Sequence, residues 1–283
     1  QNPVELAKLA APILETLAAD YAEQEIDEIL EALGGEPDEQ ERLIFAETVE
    51  HLSNLTLTDR NNKLLVNKNA LKVLLVQLKR EVGSNVETLA TQGVLEIHQR
   101  TLDALLTSIV RVRAFGSQNQ APNVDENLIN DGVLDSISTI LQTRSDFGLS
   151  IAHSLTILTS LLKNPKTSSA VLSKLAKAEI VSVLTSFLEY YKNDESIINT
   201  TTELLLALSN KYPELVSAMG QKSFVRALIK ETKNALKLGE DDASALTQAN
   251  QNLRCLVTMS DNQATLGQII EEGGQDLAIS VVN

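Results

Sequence analysis

Five times along the chain, at intervals close to fifty residues, a small polar residue stands two places after a leucine. The pairs are Leu52 and Asn54, Leu106 and Ser108, Leu158 and Ser160, Leu208 and Asn210, and Leu256 and Thr258. The steps between the polar anchors are 54, 52, 50 and 48 residues. A period of this size is the mark of a repeat architecture, in which each unit buries its apolar face only by stacking on the next.

The residues around each anchor carry a helical period. One place before it stands a small or β-branched residue: Ser53, Thr107, Thr159, Ser209 and Val257. Seven places before it the residue is always polar: Glu47, Thr101, His153, Glu203 and Gln251. Five places before it are Val49, Leu155, Leu205 and Leu253, with Asp103 the exception. On a helix the positions seven and four before the anchor share a face with it, while those five and two before point elsewhere. The spacing therefore predicts helices near 40–57, 98–113, 150–163, 198–211 and 245–260, each with a buried leucine edge and a polar stripe. A second element lies between anchors: N-A-L-K-V-L-L from Asn69, G-V-L-D-S-I-S from Gly132, E-I-V-S-V-L-T from Glu179, S-F-V-R-A-L-I from Ser223 and G-Q-D-L-A-I-S from Gly274. Except at Glu179, its first residue suits a helix cap or the turn into a helix.

Composition agrees with an all-α fold. Hydrophobic residues make up 43% of the 283 but aromatics only 3%, with no Trp, so Leu, Ile, Val and Ala must fill the core. Pro and Gly are few, and alternating β-branched runs bounded by tight turns hardly occur. The single cysteine, Cys255, rules out an intramolecular disulfide framework and fits a reducing compartment. No apolar run approaches the roughly 20 residues that span a bilayer. The net charge of −14 argues against binding a nucleic-acid backbone. Most of it falls between Asp20 and Glu50, where twelve acids accompany one base, Arg42. That segment is either the solvated face of two helices or a docking surface for a basic partner.

L-S-N-L at Leu52–Leu55 and N-D-G-V-L at Asn130–Leu134 resemble the armadillo-repeat family, whose unit has a second helix opening on glycine and a third ending L-x-N-L. The resemblance covers nearly the whole chain and implies one right-handed α-solenoid of about five repeats over residues 1–283. The unit here is longer than the family's roughly 42 residues, with insertions expected at Val82–Gly93, Gly116–Asp125 and Lys237–Ala243. The family geometry implies third helices side by side along a groove, with a ladder of asparagines holding the backbone of an extended partner. Asn54 and Asn210 stand at ladder positions, and Ser108, Ser160 and Thr258 replace asparagine there. Glu47, Glu50, Arg111, His153, Thr156, Lys163, Glu203, Gln251 and Arg254 complete the expected groove. The same residues could instead hold neighbouring repeats together. Four before each anchor stand Glu50, Ala104, Thr156, Leu206 and Arg254. None can form the tryptophan slot with which armadillo import adaptors grip lysines.

Catalytic chemistry finds no footing. His51, His98 and His153 lie on separate predicted helices without metalloprotease spacing, no C-x-x-C pair offers zinc ligands, and Cys255 reads as a small core residue. Gly34-Gly35 and Gly273-Gly274 read as helix ends, not phosphate loops. No enzyme, cofactor or metal is expected. The expectation is a cytoplasmic scaffold, with the nucleus also open to it, binding an extended peptide or helix of a partner protein. The alternative is a regulator of a nucleotide-binding protein, such as a small GTPase or chaperone ATPase, favouring one conformation of its target. Gln1 is not an initiator Met, and Leu277, Ile279 and Val281 would lack a covering helix, so the sequence is expected to be a fragment of a longer protein.

Overall fold

A computed structural model describes residues 22–35, 41–238 and 243–282, and every regular element among them is helical. The helices are α1 (22–34), α2 (Arg42–Leu55), α3 (Asp59–Asn67), α4 (Ala70–Gly83), α5 (Val86–Thr91) and α6 (Leu95–Gln118). Next come α7 (Val124–Asn130), α8 (Val133–Thr143), α9 (Gly148–Lys163), α10 (Ser168–Leu175), α11 (Ala178–Tyr190) and α12 (Glu195–Lys211). After a single 3-10 turn at Pro213–Leu215 follow α13 (Val216–Met219), α14 (Lys222–Leu238), α15 (Ala243–Ser260), α16 (Gln263–Glu271) and α17 (Gly274–Val282). The fold is all-α, as the sequence predicts. The five segments that carry the anchors are α2, α6, α9, α12 and α15.

Short polar side chains open four of these helices, α3, α5, α12 and α16, by accepting hydrogen bonds from otherwise unpaired first-turn N–H groups. Asn85 Oδ1 accepts from Thr88 N at 3.0 Å, and Asp194 Oδ1 accepts from Ser196 N and Ile197 N, both at 3.1 Å. The junctions before α4, α8 and α17 use backbone conformation instead. Asn69 (φ 54°), Gly132 (φ 83°) and Gly273 (φ 87°) all turn left-handed there. Asn69 therefore makes the turn into α4, and its side chain caps nothing.

The chain divides after Ser136 into two compact units. In the first, the long helix α6 is the spine, and α2, α3, α4, α5 and α7 pack on it. Val49, Leu52, Leu74, Leu78, Leu105, Leu106 and Ile109 are fully buried between them. The carbonyl end of α2 is closed by side chains: Asn61 Nδ2 donates to Leu55 O at 3.0 Å, and Asn62 Nδ2 donates to Thr56 O at 2.9 Å. Buried Gln77 donates to Leu33 O and so closes the end of α1. Two carboxylate contacts lie deep in this unit. His98 Nδ1 is 2.7 Å from Glu81 Oε2, with Arg42 Nη1 3.6 Å from the same oxygen. Arg113 grips Asp125 with two bonds of 2.8 and 3.0 Å.

In the second unit corresponding helices pack in rows: α9 on α12 and α12 on α15, then α11 on α14 and α14 on α17. Leu155, Leu161, Leu184, Leu204, Leu208, Phe224 and Leu228 are fully buried. Thr167 Oγ1 donates to Leu161 O at 2.6 Å, closing the end of α9 much as Asn61 and Asn62 close α2. Tyr191 donates to Ser145 O at 2.5 Å, and burial pushes its phenol pKa up to about 12. Arg226 and Lys222 on α14 clasp Glu272 at the end of α16. Leu277, expected to lack cover, is buried because α17 packs on α14 and α16, whereas Ile279 is exposed. Val281's side chain lies outside the described residues.

Two insertions are partly helical: α5 occupies the first, and α6 runs on to Gln118 within the second. Residues 239–242 of the third are outside the described residues, as are Asp20 and residues 36–40 of the acidic segment. Several of the described acids find partners. Lys68 lies 3.2 Å from Glu23 and 2.8 Å from Asp27, and His51 lies 2.7 Å from Glu25. No described helix is long and apolar enough to cross a membrane.

Candidate partner-binding groove

All five leucines two places before the anchors are buried. The polar stripe divides unevenly. Asn54, Asn210 and Thr258 are exposed and Ser160 is half-buried, but Ser108 is completely buried and donates to Ala104 O at 2.8 Å. Ser108 presents nothing to a ligand. The reason is local: it sits midway along α6, which is hemmed in by α2, α3 and α4. Thr258 is exposed but donates to Arg254 O at 3.0 Å within its own helix.

In the first unit two of the expected groove residues, Arg111 and Glu50, serve the fold. Arg111 Nη1 donates to Ser53 O at 3.0 Å and to Thr56 Oγ1 at 3.3 Å, tying α6 to the end of α2. Glu50 accepts two bonds of 2.7 Å from Arg100, which raise the guanidinium pKa, and Glu47 is exposed nearby. Asn54 stays exposed at the rim of α2, and the structural asparagines of this turn are Asn61 and Asn62.

The second unit brings four of the expected residues together. Lys163 on α9, Glu203 and Asn210 on α12, and Gln251 on α15 line one trough of roughly 790 Å³. Lys163 Nζ and Glu203 Oε1 bridge its side at 3.1 Å, both solvent-facing. Leu206 and Ala207 supply apolar floor. His153 and Thr156 are half-buried farther back on α9, where Thr156 donates to Ala152 O at 2.8 Å, and neither lines the trough. Arg254 is exposed on α15 and also lies outside it.

Spacing alone did not anticipate Asn199, Thr202, Glu231, Thr247 and Gln248, which also line the trough. Asn199 and Thr247 stand eleven places before their anchors, one helical turn beyond the stripe read from sequence. Extending the period by that turn would have found them. Thr202 is 3% exposed, and its hydroxyl has no hydrogen-bond partner among the described residues. The site is thus rich in carboxamides, which both donate and accept, with one ion pair and a short apolar floor.

Among the described residues no group of three or more His, Cys, Asp or Glu side chains has metal-holding geometry. Cys255 is buried 4.0 Å from Met259 Sδ, and burial pushes its thiol pKa up, which disfavours the nucleophilic thiolate. Compared with known proteins, the chain matches no family model, no curated protein and no solved structure.

Proposed function

We propose that the chain is an armadillo-like α-solenoid of about five repeats and a non-enzymatic interaction scaffold of the cytoplasm. On this reading the trough between α9, α12 and α15 holds an extended segment of a partner protein. The observation that carries it is the convergence of Lys163, Glu203, Asn210 and Gln251, chosen by repeat spacing, on one depression. Its chemistry suits a peptide main chain. Carboxamides on Asn199, Asn210, Gln248 and Gln251 can answer both N–H and C=O groups, and the Lys163–Glu203 pair can open to partners of either sign. The rows α9–α12–α15 and α11–α14–α17 are the packing that stacked repeats require.

The test is affinity selection of partner segments on the intact protein, followed by anisotropy titration of the selected peptides. Asn210→Ala with Gln251→Ala is expected to weaken binding at least tenfold and leave the melting temperature unchanged. Unchanged binding with a lowered melting temperature would assign these residues to repeat stacking and overturn the reading.

A further inference from the structure

A second cavity, of roughly 760 Å³, opens in the first unit, where α3 and α4 face the end of α6 and α7. It shares no lining residue with the trough. Its floor is apolar, formed by Val66, Leu71, Leu75, Phe115, Val124 and Leu128. Its rim carries the carboxamides of Asn67, Asn119 and Asn127. Lys63 on α3 and Asp131 just after α7 also line it, and neither forms an ion pair among the described residues.

The backbone around this cavity is under constraint. Asn69 (φ 54°), Gln120 (φ 54°) and Asn123 (φ 58°) are the non-glycine residues with positive φ among those described. Asn69 and Gln120 line the cavity, and Asn123 leads into the α7 wall. Asparagine tolerates the left-handed region, but glutamine does so against steric resistance. Gly116 removes a further obstacle. A Cβ there would lie 3.1 Å from Val124 Cγ2, so its absence lets α7 close against α6. Strain concentrated around one concavity is the kind of observation that points from structure to function.

We infer that this cavity binds a short linear peptide in which a bulky apolar residue is flanked on one side by lysine or arginine. The apolar floor takes a bulky apolar side chain, and the volume leaves room for the flanking residues of a peptide. The rim carboxamides answer the peptide main chain. Asp131 on the lining attracts the cation. The protein's net charge of −14 favours a cationic ligand and opposes a nucleotide or other polyanion of similar size. The inference stands apart from the trough, and its test keeps the two separate.

The experiment is fluorescence anisotropy on the intact protein with acetylated, amidated, dye-labelled peptides. Each carries a central Leu, Phe or Ala in a Gly/Ser context, with Lys, Gly or Glu beside it. Saturable binding is expected for Leu or Phe with Lys, and at least tenfold weaker binding for Ala or for Glu. Asn127→Ala should weaken binding, and Asp131→Lys should transfer the preference to Glu. Should Asp131→Lys lower the thermal midpoint, Asp131→Asn takes its place and is expected to abolish the difference between Lys and Gly peptides. Asn210→Ala with Gln251→Ala should leave all of this unchanged. The inference is overturned by no saturable binding across the panel, by equal binding of Ala peptides, or by a charge preference indifferent to both Asp131 variants. Loss of binding on changing the trough, or tighter binding of adenosine phosphates than of any peptide, would also overturn it.

Discussion

Asn62 and Asn54 differ by eight positions and by almost everything else. Asn62 is buried and spends its amide on the Thr56 carbonyl; Asn54 is exposed at the rim of α2. Replacing Asn62 by Ala strands a buried carbonyl and is expected to cost about 1–3 kcal/mol in urea denaturation. The same contrast recurs two positions apart on α12. Leu208→Ala should cost about 2–5 kcal/mol, because it opens space in a closed core. Asn210→Ala should change stability by no more than about 0.5 kcal/mol, because its side chain faces the trough. The leucine row was legible in sequence because a fixed period needs no knowledge of neighbours. The burial of Ser108 was not, because it depends on how closely α2, α3 and α4 crowd that stretch of α6.

At the scale of elements, α6 shows what a local pattern misses. Its anchor spacing marks 98–113, yet the helix runs from Leu95 to Gln118. The added turns are stabilised by contacts that lie beyond it in sequence: Arg113 to Asp125, and Gly116 against Val124. The cavity beside α7 arises from that extension, so its residues gave no sequence signal beyond an apparent insertion. Charged groups inside the helix packing carry their own consequences. Glu81→Gln weakens the polar contacts that buried His98 and half-buried Arg42 share at one carboxylate, and is expected to cost about 1–3 kcal/mol. Urea denaturation of the single variant checks it.

A pH dependence belongs to the clasp between α14 and α16. Hydrogen bonding from Arg226, aided by the charges of Arg226 and Lys222, holds the Glu272 carboxyl below the usual carboxylate range. A carboxyl whose folded pKa is depressed contributes stability that is fully present above its unfolded pKa and lost as pH falls through the folded value. Denaturation midpoints measured from neutral pH downward should therefore decline less steeply for Glu272→Gln than for the parent chain. Exposure of Arg226 and Lys222 keeps the difference small, and high salt should shrink it further.

On the scale of the whole molecule, two compact units predict departure from a single all-or-none transition. Leu52→Ala should lower one phase of a denaturation curve and Leu208→Ala the other, as followed by circular dichroism. One coincident shift for both would show a single cooperative block. The all-α class was legible from composition and helical period. The division after Ser136 was not, because the anchors step through it at 54, 52 and 50 residues without a break. Cys255 adds a practical consequence. As the chain's sole thiol, shut beneath Met259 in α15, it reacts with an alkylating reagent only when that helix parts from its neighbours. The protein therefore carries a native clock: the speed of its thiol's alkylation, read by mass spectrometry, times the breathing of the trough's third wall without an engineered label.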